Sequence, residues 1–170
     1  MANRLSIQKE PESLSGKDIR KSIERAYQML IEKDSYLLKV DANERSITHR
    51  LAIYLESEFS GYDVDCEYNR DGFDPKRLIS FKKKIDFDDT NGTTVYPDII
   101  IHQRGRGKRD NFIVIEVKKL SNTDNSDKGK LAIYKKELFY KYAYFVRFPI
   151  GEDFKNYKSL PFEEFIEEMR

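Results

Sequence analysis

Hydrophobic and polar residues follow two different periods along this chain, and the changes of period mark out its elements. Ile19, Ile23, Tyr27 and Leu30 recur at helical spacing behind Ser15-Gly-Lys-Asp18, which has the form of a capping box. The spacing predicts a helix that ends near Lys33 or Asp34. A second helical stretch, ERSITHRLAIYLESEF, follows Asp41 and Asn43, either of which suits an N-cap, and runs to Gly61. The period then shortens. YDVDCEYNR alternates like a strand and is followed by the turn pairs Asp71-Gly72 and Asp74-Pro75. RLISFKKKIDF reads as an irregular strand and DDTNG as a turn. VYPDIIIHQ (95–103) and FIVIEVKK (112–119) are apolar at most positions, as strands buried on both faces are. The tight basic turn RGRGKRD joins them. SNTDNSD is a polar loop before the helix KGKLAIYKKELFYK, and YAYFVRFPI reads as a further strand. PFEEFIEEMR reads as a short closing helix, with Pro161 near its first turn.

From residue 43 the order is helix, strand, strand, strand, helix, strand, which predicts an α/β domain with a mixed sheet. With 170 residues, and neither repeats nor a linker, one domain is expected. It divides into a loose arm at 1–14, the N-terminal helix and its connection at 15–40, a core at 41–150 and a C-terminal extension at 151–170.

Composition changes this picture in three ways. At 36% charged and 39% apolar residues the chain has a globular, soluble composition, and no apolar run approaches the ~20 residues of a membrane helix. The N-terminus lacks the apolar stretch of a signal peptide, so a cytoplasmic protein is expected. Cys66 is the sole cysteine, which excludes an internal disulfide and a cysteine-based zinc cluster; oxygen ligands would have to hold any metal. A net charge of +1 points neither toward nor away from nucleic acid. Local basic patches do exist at Lys82, Lys83 and Lys84 and at Arg104, Arg106, Lys108 and Arg109, and solvated turns account for such patches by default.

The apolar strands carry charges that need a reason. Burying one ionised carboxylate without a partner costs several kcal/mol, yet Asp98 and Glu116 sit within these runs. Strand parity places Asp98 on the face of Ile100, and Glu116 and Lys118 together on the face of Val114. If the basic turn closes an antiparallel hairpin, Asp98 comes near Glu116. Two adjacent carboxylates repel, and a hard divalent cation together with Lys118 would relieve them. On a helical wheel Glu44 falls within the apolar face of Ile47, Leu51 and Leu55, whereas His49 points away. Its place in the first helical turn also suits the helix dipole.

Pro97-Asp98, then Glu116-Val117-Lys118, within this order of elements, resembles the PD-(D/E)xK nuclease superfamily over about residues 41–150. The resemblance implies a three-layer α/β/α restriction-endonuclease-like core with an extra N-terminal helix. It implies Mg²⁺, with Mn²⁺ as a substitute, held by Asp98 and Glu116, with the Val117 carbonyl as a further ligand and Glu44 as the helix glutamate of many members. Lys118 would assist the attacking water. It implies DNA as substrate and leaves RNA open, with Arg104, Arg106, Lys108, Arg109, Lys128 and Lys130 on the phosphates. In the recombination-exonuclease branch the helix after Glu-x-Lys carries Gln-x-x-x-Tyr; here Lys130 stands at the Gln position before Tyr134. Leu131, Tyr134 and Leu138 also fit ordinary core contacts. Small members of the fold often pair, which makes a homodimer or a partner protein an expectation, with the N-terminal helix or Phe162, Phe165, Ile166 and Met169 as candidate interfaces. Packing of that stripe on its own core is the plainer expectation.

The chemistry is consistent with this without the family name. Phosphodiester hydrolysis needs a hydroxide near neutral pH and neutralisation of transition-state charge, which Mg²⁺ on carboxylates supplies. Two other readings remain: a non-catalytic nucleic-acid- or protein-binding module of the same fold, and a structural α/β protein in which Glu116 and Lys118 are an ion pair.

Overall fold

The computed structural model describes residues 14–71, 74–78, 93–123, 125–157 and 165–169. Its helices are α1 (Gly16–Lys33), α2 (Ser35–Lys39), α3 (Glu44–Glu58), α4 (Ser126–Leu138) and α5 (Gly151–Tyr157). The strands are β1 (Asp63–Cys66), β2 (Arg70–Asp71), β3 (Asp74–Pro75), β4 (Arg77–Leu78), β5 (Thr93–Thr94), β6 (Ile99–His102), β7 (Asn111–Lys119), β8 (Tyr142–Phe148) and β9 (Ile166–Glu168). The protein is therefore mixed α/β, as expected. Lys82, Lys83 and Lys84 lie outside the described residues.

The helix signals in the sequence act as the spacing predicts. Ser15 accepts from the Asp18 N–H while the Asp18 side chain accepts from the Ser15 N–H, closing the capping box of α1. Asn43, rather than Asp41, caps α3 by accepting from the Ser46 N–H at 2.8 Å. After α3 the chain reverses through Gly61 at φ +94°, a conformation that side chains with a Cβ rarely adopt.

Five strands form one sheet in the order β1-β6-β7-β8-β9. β7 and β8 are parallel, with α4 as their crossover, and the other neighbours are antiparallel. The β2–β3 and β4–β5 pairs are separate short ladders. Parity sorts the side chains. Ile99, Ile101, Ile113, Ile115 and Val117 face α1 and α3, where they meet Ile23, Tyr27, Ile47, Leu51 and Leu55. Ile100 and Val114 face the opposite way and pack with Leu131, Tyr134 and Leu138 of α4. The apolar runs of β6 and β7 are explained by this cover on both faces.

Three expectations change. Residues 166–168 are a strand, not part of a closing helix: Val146 pairs with Ile166, and Phe165 and Ile166 are buried in the protein's own core. Pairing with the β8 edge outweighs the local helical spacing. That burial also removes Phe165 and Ile166 as an interface, while Phe162 lies outside the described residues. Helix α5, with Phe154 as its buried residue, is absent from the sequence pattern, and α4 begins at Ser126 rather than Lys128. Among the described residues no helix is long and apolar enough to cross a membrane.

Asn43→Ala is expected to destabilise the fold by about 1 kcal/mol through loss of the α3 cap, measurable as a lower urea midpoint at unchanged slope.

Candidate active site

The β6–β7 register governs the site. Ile99 pairs with Ile115, so residue 98 comes opposite residue 116 and the ladder ends there. β7 continues to Lys119 with β8 alone beside it. Its N–H groups at 117 and 119 therefore have no strand partner on the β6 side, and carboxylates take that place. The Val117 N–H donates to Asp98 Oδ2 at 2.8 Å, and the Lys119 N–H donates to Glu44 Oε2 at 3.2 Å. Glu44, on the buried side of α3, reaches the strand end from one layer, while Glu116 and Lys118 project toward α4 in the other.

Glu116 is 4% exposed, and its Oε1 is buried without a hydrogen-bond partner. The Tyr134 hydroxyl lies beside its carboxylate, and burial pushes that phenol upward. Burial, reinforced by the Asp98 charge and opposed by Lys130, raises Glu116 well above the usual carboxylate range. Asp98 is pushed up to about 6, first by burial and then by Glu44 and Asp127, against the bond from Val117.

Lys118 does not pair with Glu116. Its Nζ bonds Asp127 Oδ2 at 2.7 Å, and Lys130 Nζ bonds Asp127 Oδ1. Burial opposes the Asp127 charge, but the two lysines outweigh it and hold the carboxyl below its usual value. Asp127 escapes a sequence reading that starts α4 at Lys128. On the observed helix it falls on the same face as Leu131, Tyr134 and Leu138, the kind of signal that singles out Glu44.

The basic turn lies elsewhere. A hairpin puts its turn at the far end from the open ends of its strands, so residues 104–110 sit about 17 Å from Glu116 at ~3.4 Å per residue. Arg104 Nε and Nη2 bond both oxygens of Asp65 at 2.8 and 2.5 Å, its N–H donates to Asp63, and His102 Nε2 is 2.8 Å from Asp65 Oδ2. Arg104 thus braces β1 on β6. Arg106 is exposed, Lys108 stands 5.7 Å over the Phe139 ring, and the Arg109 side chain lies outside the described residues. Lys130 joins the cluster through Asp127, whereas Lys128 is bonded to Glu167 at 2.5 Å.

A cleft of about 420 Å³ opens beside the cluster, lined by Glu44, Arg45, Thr48, His49, Cys66, Glu67 and Asp98. His49 thus borders it although it lies off the apolar face of α3. Cys66 is exposed on the cleft wall, and partial desolvation with the nearby Asp65, Asp98 and Glu67 charges pushes its thiol up to about 11, which disfavours the thiolate at neutral pH. Among the described residues no three His, Cys, Asp or Glu side chains converge as a ready-made metal cage. No protein-family model, curated protein or solved structure matches the chain.

Asp98 and Glu116 retain their protons to higher pH when folded than when unfolded. The stability they contribute is complete in acid and is lost as pH rises through about 6 for Asp98 and through the raised value of Glu116. Glu116→Gln is therefore expected to raise the melting temperature of the metal-free protein at pH 7.5 by about 3 °C or more and to leave it nearly unchanged at pH 4.5, by scanning calorimetry.

Proposed function

We propose that this chain is a metal-dependent deoxyribonuclease of the PD-(D/E)xK type, with a restriction-endonuclease-like fold. It would hydrolyse phosphodiester bonds of DNA in restriction, repair, recombination or defence in the cytoplasm. The observation that carries this reading is the buried, unpartnered Glu116 oxygen beside Asp98. A fold that retains such a group has left a strong acceptor aimed at something absent from the protein chain itself.

Charge and donor type favour a hard divalent cation. Among the described residues, four carboxylates, on Glu44, Asp98, Glu116 and Asp127, stand with two ammonium groups, on Lys118 and Lys130. The excess is two negative charges when all are ionised, which one Mg²⁺ balances. Mg²⁺ retains several waters and uses only one or two protein carboxylates, so it needs no three-carboxylate cage. Asp98 and Glu116 would hold it, with the Val117 carbonyl adjoining and Glu44 acting through the strand end. When bound, the cation would make a hydroxide available near neutral pH and offset charge on the phosphorane-like transition state.

The chain's own groups do the rest. Asp98 and Glu44, each tied to a β7 N–H, fix the strand end that presents Glu116. Lys118, ion-paired with Asp127, would orient the attacking water or stabilise a phosphate oxygen. An ion pair between Glu116 and Lys118, the structural alternative, is not the arrangement found, since Lys118 bonds Asp127. Lys128 and Lys130 of α4 would supply phosphate contacts. Pairing with a second copy or a partner protein, and the role of the basic turn on DNA, belong to the same reading.

Linear, circular and branched DNA incubated with Mg²⁺ or Mn²⁺ should be cleaved by the wild type and at least about 10²-fold more slowly by Glu116→Ala and Lys118→Ala. Metal-independent binding without cleavage on any substrate would instead identify a binding module.

A further inference from the structure

The cleft beside Asp98 has one wall on α3 and another at the end of β1, and an ion pair joins the two. Arg45 Nε lies 2.9 Å from Glu67 Oε1, and both residues line the cleft together with Glu44 and Asp98. The Arg45 side chain is 86% exposed and that of Glu67 47%, so the pair stands on the solvent side of the cleft. An ion pair this exposed adds little to stability. Glu67 nevertheless adopts φ +48°, a region that residues other than glycine seldom enter, and its N–H donates to the Asp98 carbonyl at 3.3 Å. Backbone held in this way, against a cluster of unusual charge, is typical of ligand clamps.

The charge of the cleft gives Arg45 a use beyond the pair. A phosphodiester substrate brings negative charge to a site walled by carboxylates, so it needs cations besides the metal. Among the described residues that line the cleft, Arg45 is the one with a permanent positive charge. Its planar fork suits two phosphate oxygens as well as it suits a carboxylate. Arg45 and His49, one turn apart on α3, also line a shallower hollow of about 400 Å³ with Ser46 and Arg50. The two hollows share this wall, which gives a strand leaving the cluster a path over α3.

We propose that Arg45 binds a backbone phosphate of the substrate strand at the cleft, and that Glu67 holds the guanidinium there until the phosphate displaces it. This assignment rests on the nuclease reading. In the free protein the Glu67 carboxylate stands in for the phosphate: it occupies the same fork and restricts a long side chain beforehand. Because the pair is exposed, exchanging carboxylate for phosphate is easy, and the released carboxylate returns to water.

The test measures binding of fluorescein-labelled DNA, duplex and single-stranded, by anisotropy with Ca²⁺ over a range of salt, and cleavage with Mn²⁺. Arg45→Met is expected to weaken binding about tenfold and to flatten the slope of log Kd against log salt by about one, with the loss in cleavage falling on KM rather than kcat. Arg45→Lys should restore the salt slope but only part of the affinity, since the charge returns without the fork. Glu67→Gln is expected to tighten binding about threefold, and to bring no gain in the Arg45→Met background, because it acts through Arg45.

Wild-type affinity and salt slope in Arg45→Met, or a Glu67→Gln gain that persists without Arg45, would overturn the assignment while leaving an active nuclease. A wild type that binds DNA through Arg45 and cleaves none removes the nuclease reading and leaves the exchange as that of a binding cleft. A wild type that binds no DNA removes both.

Discussion

The site depends on a mismatch in strand length. β7 runs past the end of β6, which leaves two N–H groups at the sheet's centre without a β-strand partner. Buried backbone donors must be satisfied, and here side-chain carboxylates from opposite directions satisfy them. Asp98 comes from the residue just before β6, and Glu44 from the start of α3. Both acids are thereby fixed to β7, the strand that also carries Glu116 and Lys118. The four residues are brought together by one unfinished ladder.

Electrostatics then divides the cluster into two parts. Toward α4, Asp127 stands between two lysines that favour its ionised form, and its carboxyl is held low. Toward the end of β6, Asp98 and Glu116 oppose one another in a buried setting, and both are held high. Pushing the titrations of neighbouring acids apart is what environments do where groups have different tasks. Asp127 has its counter-charge within the protein, whereas the opposed pair is completed by a proton or by a cation.

Much of this was legible in the residues, for identifiable reasons. The spacing of Ile19, Ile23, Tyr27 and Leu30 defines α1, and the continuous apolar character of β6 and β7 reflects cover on both faces. Glu44 stands out because a helical wheel shows a charge on a buried face. The same test would have found Asp127 had α4 been started two residues earlier. The strand at 166–168 is hidden because Phe165, Ile166 and Met169 also fit a helix, and only the β8 edge decides between them. Helix α5 offers too few apolar residues to show a period. That the basic turn lies far from Glu116 was implicit in the hairpin, since a turn cannot adjoin the open ends of its own strands.

The backbone bonds of Asp98 and Glu44 have an evolutionary consequence. An amide oxygen accepts an N–H as a carboxylate oxygen does, so Asp98→Asn or Glu44→Gln would alter charge while retaining the contact that closes the sheet. A lineage could lose the chemistry of this cluster through a change of one atom and inherit the fold intact. Descendants of such a scaffold that differ in the charge of this cluster would then differ at one or two side chains and share the rest of their architecture.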